Sequence, residues 1–425
     1  MFSQSITLKL LTIGIVAGMC LVASLLVLGL VSERQTLHEE AKSEVSATWG
    51  APQTFLGPVL VFTKPPLKDT TTPVEQYVLP RSLKVESVLT PEVRSRGIYN
   101  TVVYTETLKV SGVFTTEDIS GVPPLSTPTL AVSMSDTRSI ETQVSLMWNG
   151  VEVPFSPGPN ARLFDGAGIH AMVPYTASTR EYPFSFELTV KGTGEALFVP
   201  VGKETTVAVT SPWKTPAFTG AFLPSERTMR DDGFNASWQV SSFGRSYPQT
   251  WEGDTVMLSS LYESAFGVDF FEGVDLYTEL YRSIKYAVLF IVITFTVFFL
   301  FEVLQSVRVH PIQYLLIGSS LALFYLLLLS FAEQIGFLYA YLIATTMTTL
   351  LIVGYSASVL KQKTRALLVG VQLFALYGYL YFVLKLEDYA LLFGALLLFA
   401  LLAIVMFLTR KVDWFSVARR ESVPE

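Results

Sequence analysis

Long uncharged stretches flank one long block of alternating polar and apolar positions. Leu10 to Val31 is 22 residues without a charge. At ~1.5 Å per residue that length crosses a hydrocarbon core of ~30 Å. Five more apolar runs follow late in the chain: Tyr286 to Phe301 (continued past Glu302 by Val303 and Leu304), Tyr314 to Ala332, Ile335 to Leu360, Ala366 to Leu384 and Tyr389 to Thr409. Soluble helical cores do not give such runs in close succession, so the pattern predicts six membrane spans. The first run outlasts the ~7–15 apolar residues of a secretory leader, and no A-x-A site follows it. A lipoprotein signal would have to use Cys20, where Met19 is too large for the preceding position. An uncleaved anchor helix is therefore expected.

The block between the first two runs has the period of a half-buried sheet. Phe184, Phe186, Leu188 and Val190 alternate with Ser185, Glu187, Thr189 and Lys191. Phe234, Ala236, Trp238 and Val240 alternate with Asn235, Ser237, Gln239 and Ser241. Val144 to Trp148 and Val151 to Phe155 flank Asn149-Gly150, a strong hairpin signal. Further β-branched runs lie at Pro58 to Phe62, Thr101 to Val110, Glu195 to Val201 and Thr205 to Thr210. The predicted fold class is thus a six-span membrane α-helical bundle with a large extracytoplasmic all-β, sandwich-like domain. The expected boundaries are an anchor at 1–31, the β domain at 32–284, five spans at 285–409 and a basic tail at 410–425. Leu37, Ala41 and Val45 after the first run, and Leu276, Leu280 and Ile284 before the second, recur every fourth residue and predict helical connectors.

Charge sets orientation and narrows function. From Glu33 to Arg282 there are 19 basic and 29 acidic residues, a net −10, against −6 for the whole chain. An acidic block excludes a nucleic-acid partner, which would need basic surface. With the termini in the cytoplasm, Lys9, Arg308, Lys361, Lys363, Arg365, Arg410, Lys411, Arg419 and Arg420 all fall inside, and only Lys385 falls in a short outer loop. Arg282 and Lys285 run against this rule, but the reverse arrangement would put the larger cluster outside. Cys20 is the only cysteine, so the β domain must fold without an internal disulfide.

Candidate chemistry is sparse. There is no G-x-S-x-G, H-E-x-x-H, P-loop or calcium loop. The three histidines, His38, His170 and His310, are too few and too scattered for a multi-histidine metal centre, and no cofactor is expected. His38-Glu39-Glu40 reads as a solvated helix face. Gly166-Ala167-Gly168 has Ala171 where a dinucleotide fingerprint needs glycine, and Asp231-Asp232-Gly233 reads as a turn. The polar residues beside the spans stand out: Glu302 closing the second run, His310 before Pro311, Gln313 in the turn after it, and Glu333 closing the third. Ionisable groups at membrane depth default to functional hypotheses. At helix ends they read first as anchors and interhelical bonds, and second as a solute or proton path. A Glu302–His310 pair, with the imidazole charged, is expected to fix two neighbouring spans.

One set of segments carries a resemblance. It comprises Phe301-Glu302, His310-Pro311-Ile312-Gln313-Tyr314, Phe324 to Leu329, Glu333, Leu386-Glu387-Asp388-Tyr389, Leu408-Thr409-Arg410 and Val412-Asp413-Trp414. Leu56-Gly57-Pro58, Gly192-Thr193-Gly194, Phe222-Leu223-Pro224 and Gly233-Phe234 leading to Trp238 support it. In this order they resemble the CreD family of cell envelope integrity proteins. The likeness is strongest over Lys191–Glu333 and Leu386–Trp414 and faint over Val113–Arg180. It implies a bacterial inner-membrane protein linked to envelope integrity and a two-component stress response, and it implies no reaction. The partners expected are membrane lipid and an envelope protein or periplasmic ligand. Transport through the bundle and a periplasmic enzyme remain as alternatives.

Overall fold

The computed structural model describes residues 6–64, 73–119, 125–140, 144–164, 166–270, 276–305, 309–386 and 389–410. Arg308, Glu387, Asp388, Lys411, Arg419, Arg420 and the Val412-Asp413-Trp414 motif lie outside them. The chain divides into two compact units, Met1–His38 with Val274–Glu425, and Glu39–Gly273.

The helical unit holds most of α1 (Ile6–Trp49), then α3 (Leu276–Lys285), α4 (Ala287–Gln305), α5 (Pro311–Ile335), α6 (Phe337–Val359), α7 (Lys363–Lys385) and α8 (Ala390–Thr409). Among the described residues, six helical segments are long and apolar enough to cross a membrane. The amphipathic α3 buries Leu280 and Ile284 of the four-residue series, together with Tyr277, Glu279 and Ser283, and leaves Leu276 half-buried. Gly318 lets α1 approach α5, because a Cβ there would overlap Cys20 Sγ. Close approach through small residues is the usual route to helix packing in lipid. The interior is filled by aromatic rings. Phe324 lies 4.5 Å from Tyr377 and 5.6 Å from Tyr341, and Phe290 lies 4.6 Å from Tyr377, centroid to centroid.

The other unit is built on two mixed sheets. The first runs Glu226–Arg230, Gly233–Ser241, Glu204–Ser211, Ser82–Arg96, Tyr99–Thr115, Glu181–Thr193, Ser145–Trp148, Val151–Pro154 in spatial order. The second runs Ala217–Gly220, Phe266–Asp269, Glu195–Phe198, Gln53–Lys64, Thr129–Ser133, Gly168–Met172, Ser156–Pro157, with Val74–Val78 and Thr250–Glu252 beside it. The short α2 (Leu258–Tyr262) packs through Leu261. Inward residues of both sheets, among them Leu60, Val85, Leu108, Phe186 and Phe198, form one core, as the alternation requires. The hairpin at Asn149-Gly150 forms as expected: Trp148 pairs with Val151, and both turn residues have positive φ, 47° and 82°. Asp231-Asp232 makes the turn between two paired strands, and Gly168 opens a strand rather than a helix, so neither motif is a ligand loop.

Gly192-Thr193-Gly194 has a specific structural task. The strand after it, Glu195–Phe198, pairs parallel with Gln53–Phe55, where the chain enters this unit, and antiparallel with Phe266–Asp269, where it leaves. Thr193 Oγ1 donates to Gly50 O at 2.7 Å, and Gly194 O accepts from Phe270 N at 3.1 Å. A Cβ on Gly192 would overlap the Tyr104 hydroxyl, which donates to Glu195 O at 2.5 Å. Trp49, at the end of α1, donates from Nε1 to Tyr104 O at 3.2 Å and lies beneath the Arg94 guanidinium, 3.9 Å from the ring centroid. Gln53 reaches Asp136 O and Lys191 O, each at 3.0 Å.

Candidate functional site

The four candidate residues gather at two places, the opposite ends of α5. That helix has 25 residues, so its ends are ~37 Å apart, about a membrane thickness. At the first end Glu302 closes α4 and forms an ion pair with Lys9 of α1. Its Oε1 also accepts from Val309 N at 3.3 Å, while Oε2 is buried with no hydrogen-bond partner among the described residues. His310 does not take the role expected of it. Its Nδ1 accepts from Ile312 N at 3.3 Å, and Gln313 Oε1 accepts from His310 N at 2.9 Å. This is a capping box ahead of Pro311, which needs no donor at that position. The imidazole is thus engaged with the first turn of its own helix rather than with Glu302. Lys9 is the cation at Glu302 instead.

At the other end Glu333 is half-buried in the last turn of α5. It accepts from the Tyr277 hydroxyl of α3 at 3.3 Å and lies 3.9 Å from Arg34 Nε of α1. His38, expected on a solvated face, packs against Tyr277 with ring centroids 5.8 Å apart. A buried carboxylate on α3, Glu279, accepts from Lys385 Nζ of α7 at 2.7 Å. Sequence reasoning missed Lys9, Arg34, Glu279 and Lys385 as partners. The signal available was that each pair falls at the same end of its apolar runs.

Each carboxylate faces a cation or phenol from a different helix, so each contact joins two helices. Among the described residues no group of three or more His, Cys, Asp or Glu side chains is placed to hold a metal ion. Between the two ends the hydroxyls of Tyr325, Tyr377, Thr345 and Ser356 are buried without hydrogen-bond partners among the described residues, and Tyr341 donates to Tyr377 O at 2.6 Å.

The sheet unit contributes a surface feature. Phe222 O accepts from Trp238 Nε1 at 3.1 Å, which pins the turn Phe222-Leu223-Pro224. A Cβ on Gly244 would lie 3.2 Å from the Phe222 ring, so the turn Ser242-Phe243-Gly244 lies against it. The pair presents Leu223, 74% exposed, and Phe243, 99% exposed.

Among the described residues, six apolar helical segments with a two-sheet unit following the first define a multi-pass membrane protein with a large β domain. A family profile described as "Inner membrane protein CreD" matches residues 5–415. The inner membrane protein CreD of Escherichia coli (strain K12) is 31% identical over 418 residues, covering 93% of this chain and 91% of that protein. The chain belongs to the CreD family of inner membrane proteins. A solved M1 zinc metallopeptidase from Deinococcus radiodurans aligns over 38% of each chain at 13% identity with a TM-score of 0.20, too slight a likeness to carry any argument.

Proposed function

We propose that this protein supports cell envelope integrity by presenting its β unit on the periplasmic side of the inner membrane as an interaction module, with both termini in the cytoplasm. The role is non-catalytic, and Glu302, His310, Gln313 and Glu333 serve it by fixing the helices. The observation that carries the reading is the exposed pair Leu223 and Phe243 on two mutually packed turns. Large apolar side chains exposed on neighbouring turns support an interaction surface there. A photocrosslinking residue at Phe243, placed in the full chain in intact envelopes, should give a discrete adduct. Leu223→Ser with Phe243→Ser should abolish both the adduct and rescue of a deletion strain's envelope defect, at unchanged protein level. Full rescue by the double variant would refute the reading.

A solute path through the bundle is the second reading, favoured by the buried unpartnered hydroxyls of Tyr325 and Tyr377. The two readings separate on Tyr325→Phe with Tyr377→Phe. Under the first, rescue persists; under the second, it is lost while folded protein stays constant.

A further inference from the structure

We propose that a crevice between α4, α7 and α8 holds an acyl chain of an anionic membrane lipid, whose headgroup meets Lys285. The crevice has a volume of about 690 Å³, within the range of small-molecule sites. Its walls are Leu289, Val292 and Leu300 of α4, Leu380 of α7, and Ala395 and Leu402 of α8, with others of the same character. It extends along α8 from Ala390 to Leu408, ~27 Å at ~1.5 Å per residue.

Three observations select the occupant. First, none of the side chains of α8 is buried, although the helix is wholly apolar. A hydrogen bond from the Tyr379 hydroxyl to Phe393 O at 2.6 Å and a ring contact between Phe382 and Phe393 tie its first turn to α7. The length beyond that turn borders open space. Second, the polar wall groups are already engaged. Thr296 donates to Val292 O at 2.7 Å and Tyr379 to Phe393 O, so these hydroxyls are not aimed at a polar solute. Third, Lys285 and Tyr286 line the crevice where α3 gives way to α4, and the Lys285 ammonium lies over the Tyr281 ring, 4.3 Å from its centroid, one turn nearer the helix end that Glu279 and Lys385 mark. One cationic end with a tyrosine beside it, followed by a long apolar wall, matches an amphiphile with a negative head.

The test uses the full chain in nanodiscs containing phosphatidylglycerol or phosphatidylethanolamine, each carrying a diazirine in the acyl chain. Phosphatidylglycerol should label α4 and α8 above the other spans. Ala395→Trp, which fills the crevice, should remove that labelling. Lys285→Gln, an exposed change that spares the fold, should lower the preference for phosphatidylglycerol over phosphatidylethanolamine about fivefold. Even labelling of all spans, equal labelling by both lipids in the unaltered protein, or a disulfide between two copies carrying Leu398→Cys would each overturn the proposal.

Discussion

Glu279 of α3 and Lys385 of α7 meet at 2.7 Å, and the two partners differ sharply in burial: the carboxylate side chain is 7% exposed and the lysine 48%. Removing the lysine strands a buried charge, whereas removing the carboxylate leaves an ammonium that water can reach. Lys385→Met should therefore destabilise the helical unit more than Glu279→Gln. The expected costs are about 2–3 kcal/mol for the first and about 1 kcal/mol or less for the second. Detergent-challenge unfolding of the two variants measures the difference, and equal losses would contradict this account.

Lys9 and Glu302 make the corresponding clamp at the other end of the bundle. Glu302→Gln keeps an acceptor for Val309 N and should leave envelope rescue largely intact. Glu302→Leu leaves Lys9 facing an apolar wall and should lower the yield of folded protein. Adding Lys9→Met to Glu302→Leu should recover part of that yield, because the stranded cation is gone. Loss of rescue by Glu302→Gln at unchanged protein level would instead show that the carboxylate charge itself is needed for function.

Glu106 sits on the core side of its strand, and burial pushes its carboxyl up from 4.5 to about 7 despite a bond from Ser87 Oγ at 2.6 Å. Between those values the folded state holds the proton and the unfolded chain does not. The stabilisation is fully present below pH 4.5 and is lost as pH rises through about 7. The linked effect is on the order of 3 kcal/mol. Tryptophan fluorescence reports on this unit, since five of the six tryptophans, Trp49, Trp148, Trp213, Trp238 and Trp251, lie in it. Denaturation of the full chain should show stability falling from about pH 5 to about pH 8. Glu106→Gln should flatten the slope and raise stability at the alkaline end.

The proposed orientation has its own test. Reporter fusions after Val45, Glu333 and Glu387 should read as outside, and fusions after Arg308, Lys363 and Arg420 as inside. The basis is nine basic residues on the proposed inner side against one in the short outer loops. An inside signal after Val45 would overturn the arrangement.

The spans, the hairpin at Asn149-Gly150 and the long alternating strands were legible because each rests on a local period or turn that a few residues encode. Glu302 was legible as a residue with a task, but its partner was not. Lys9 lies 293 positions away, and only the packing of α1 brings the two together. His310 looked like the partner because it is close in sequence and ionisable. The cap it forms with Gln313 occupies it instead, supplying acceptors to backbone donors that the helix start leaves without partners. Glu106 was legible in principle, because it shares the parity of Leu108 and Val110. Parity gives the side of a sheet and says nothing of how dry that side is. Phe243 shows the converse: its type predicts burial, and only the turn geometry exposes it.

Where the chain enters and leaves the β unit, it does so on the two flanks of one strand, Glu195–Phe198, with Gly192-Thr193-Gly194 holding both ends. Such a unit is a cassette: its termini are already joined, so changes in its interior stop at the clasp. A residue inserted in a loop far from Glu195–Phe198 need not alter the pairing that fixes where the chain enters and leaves.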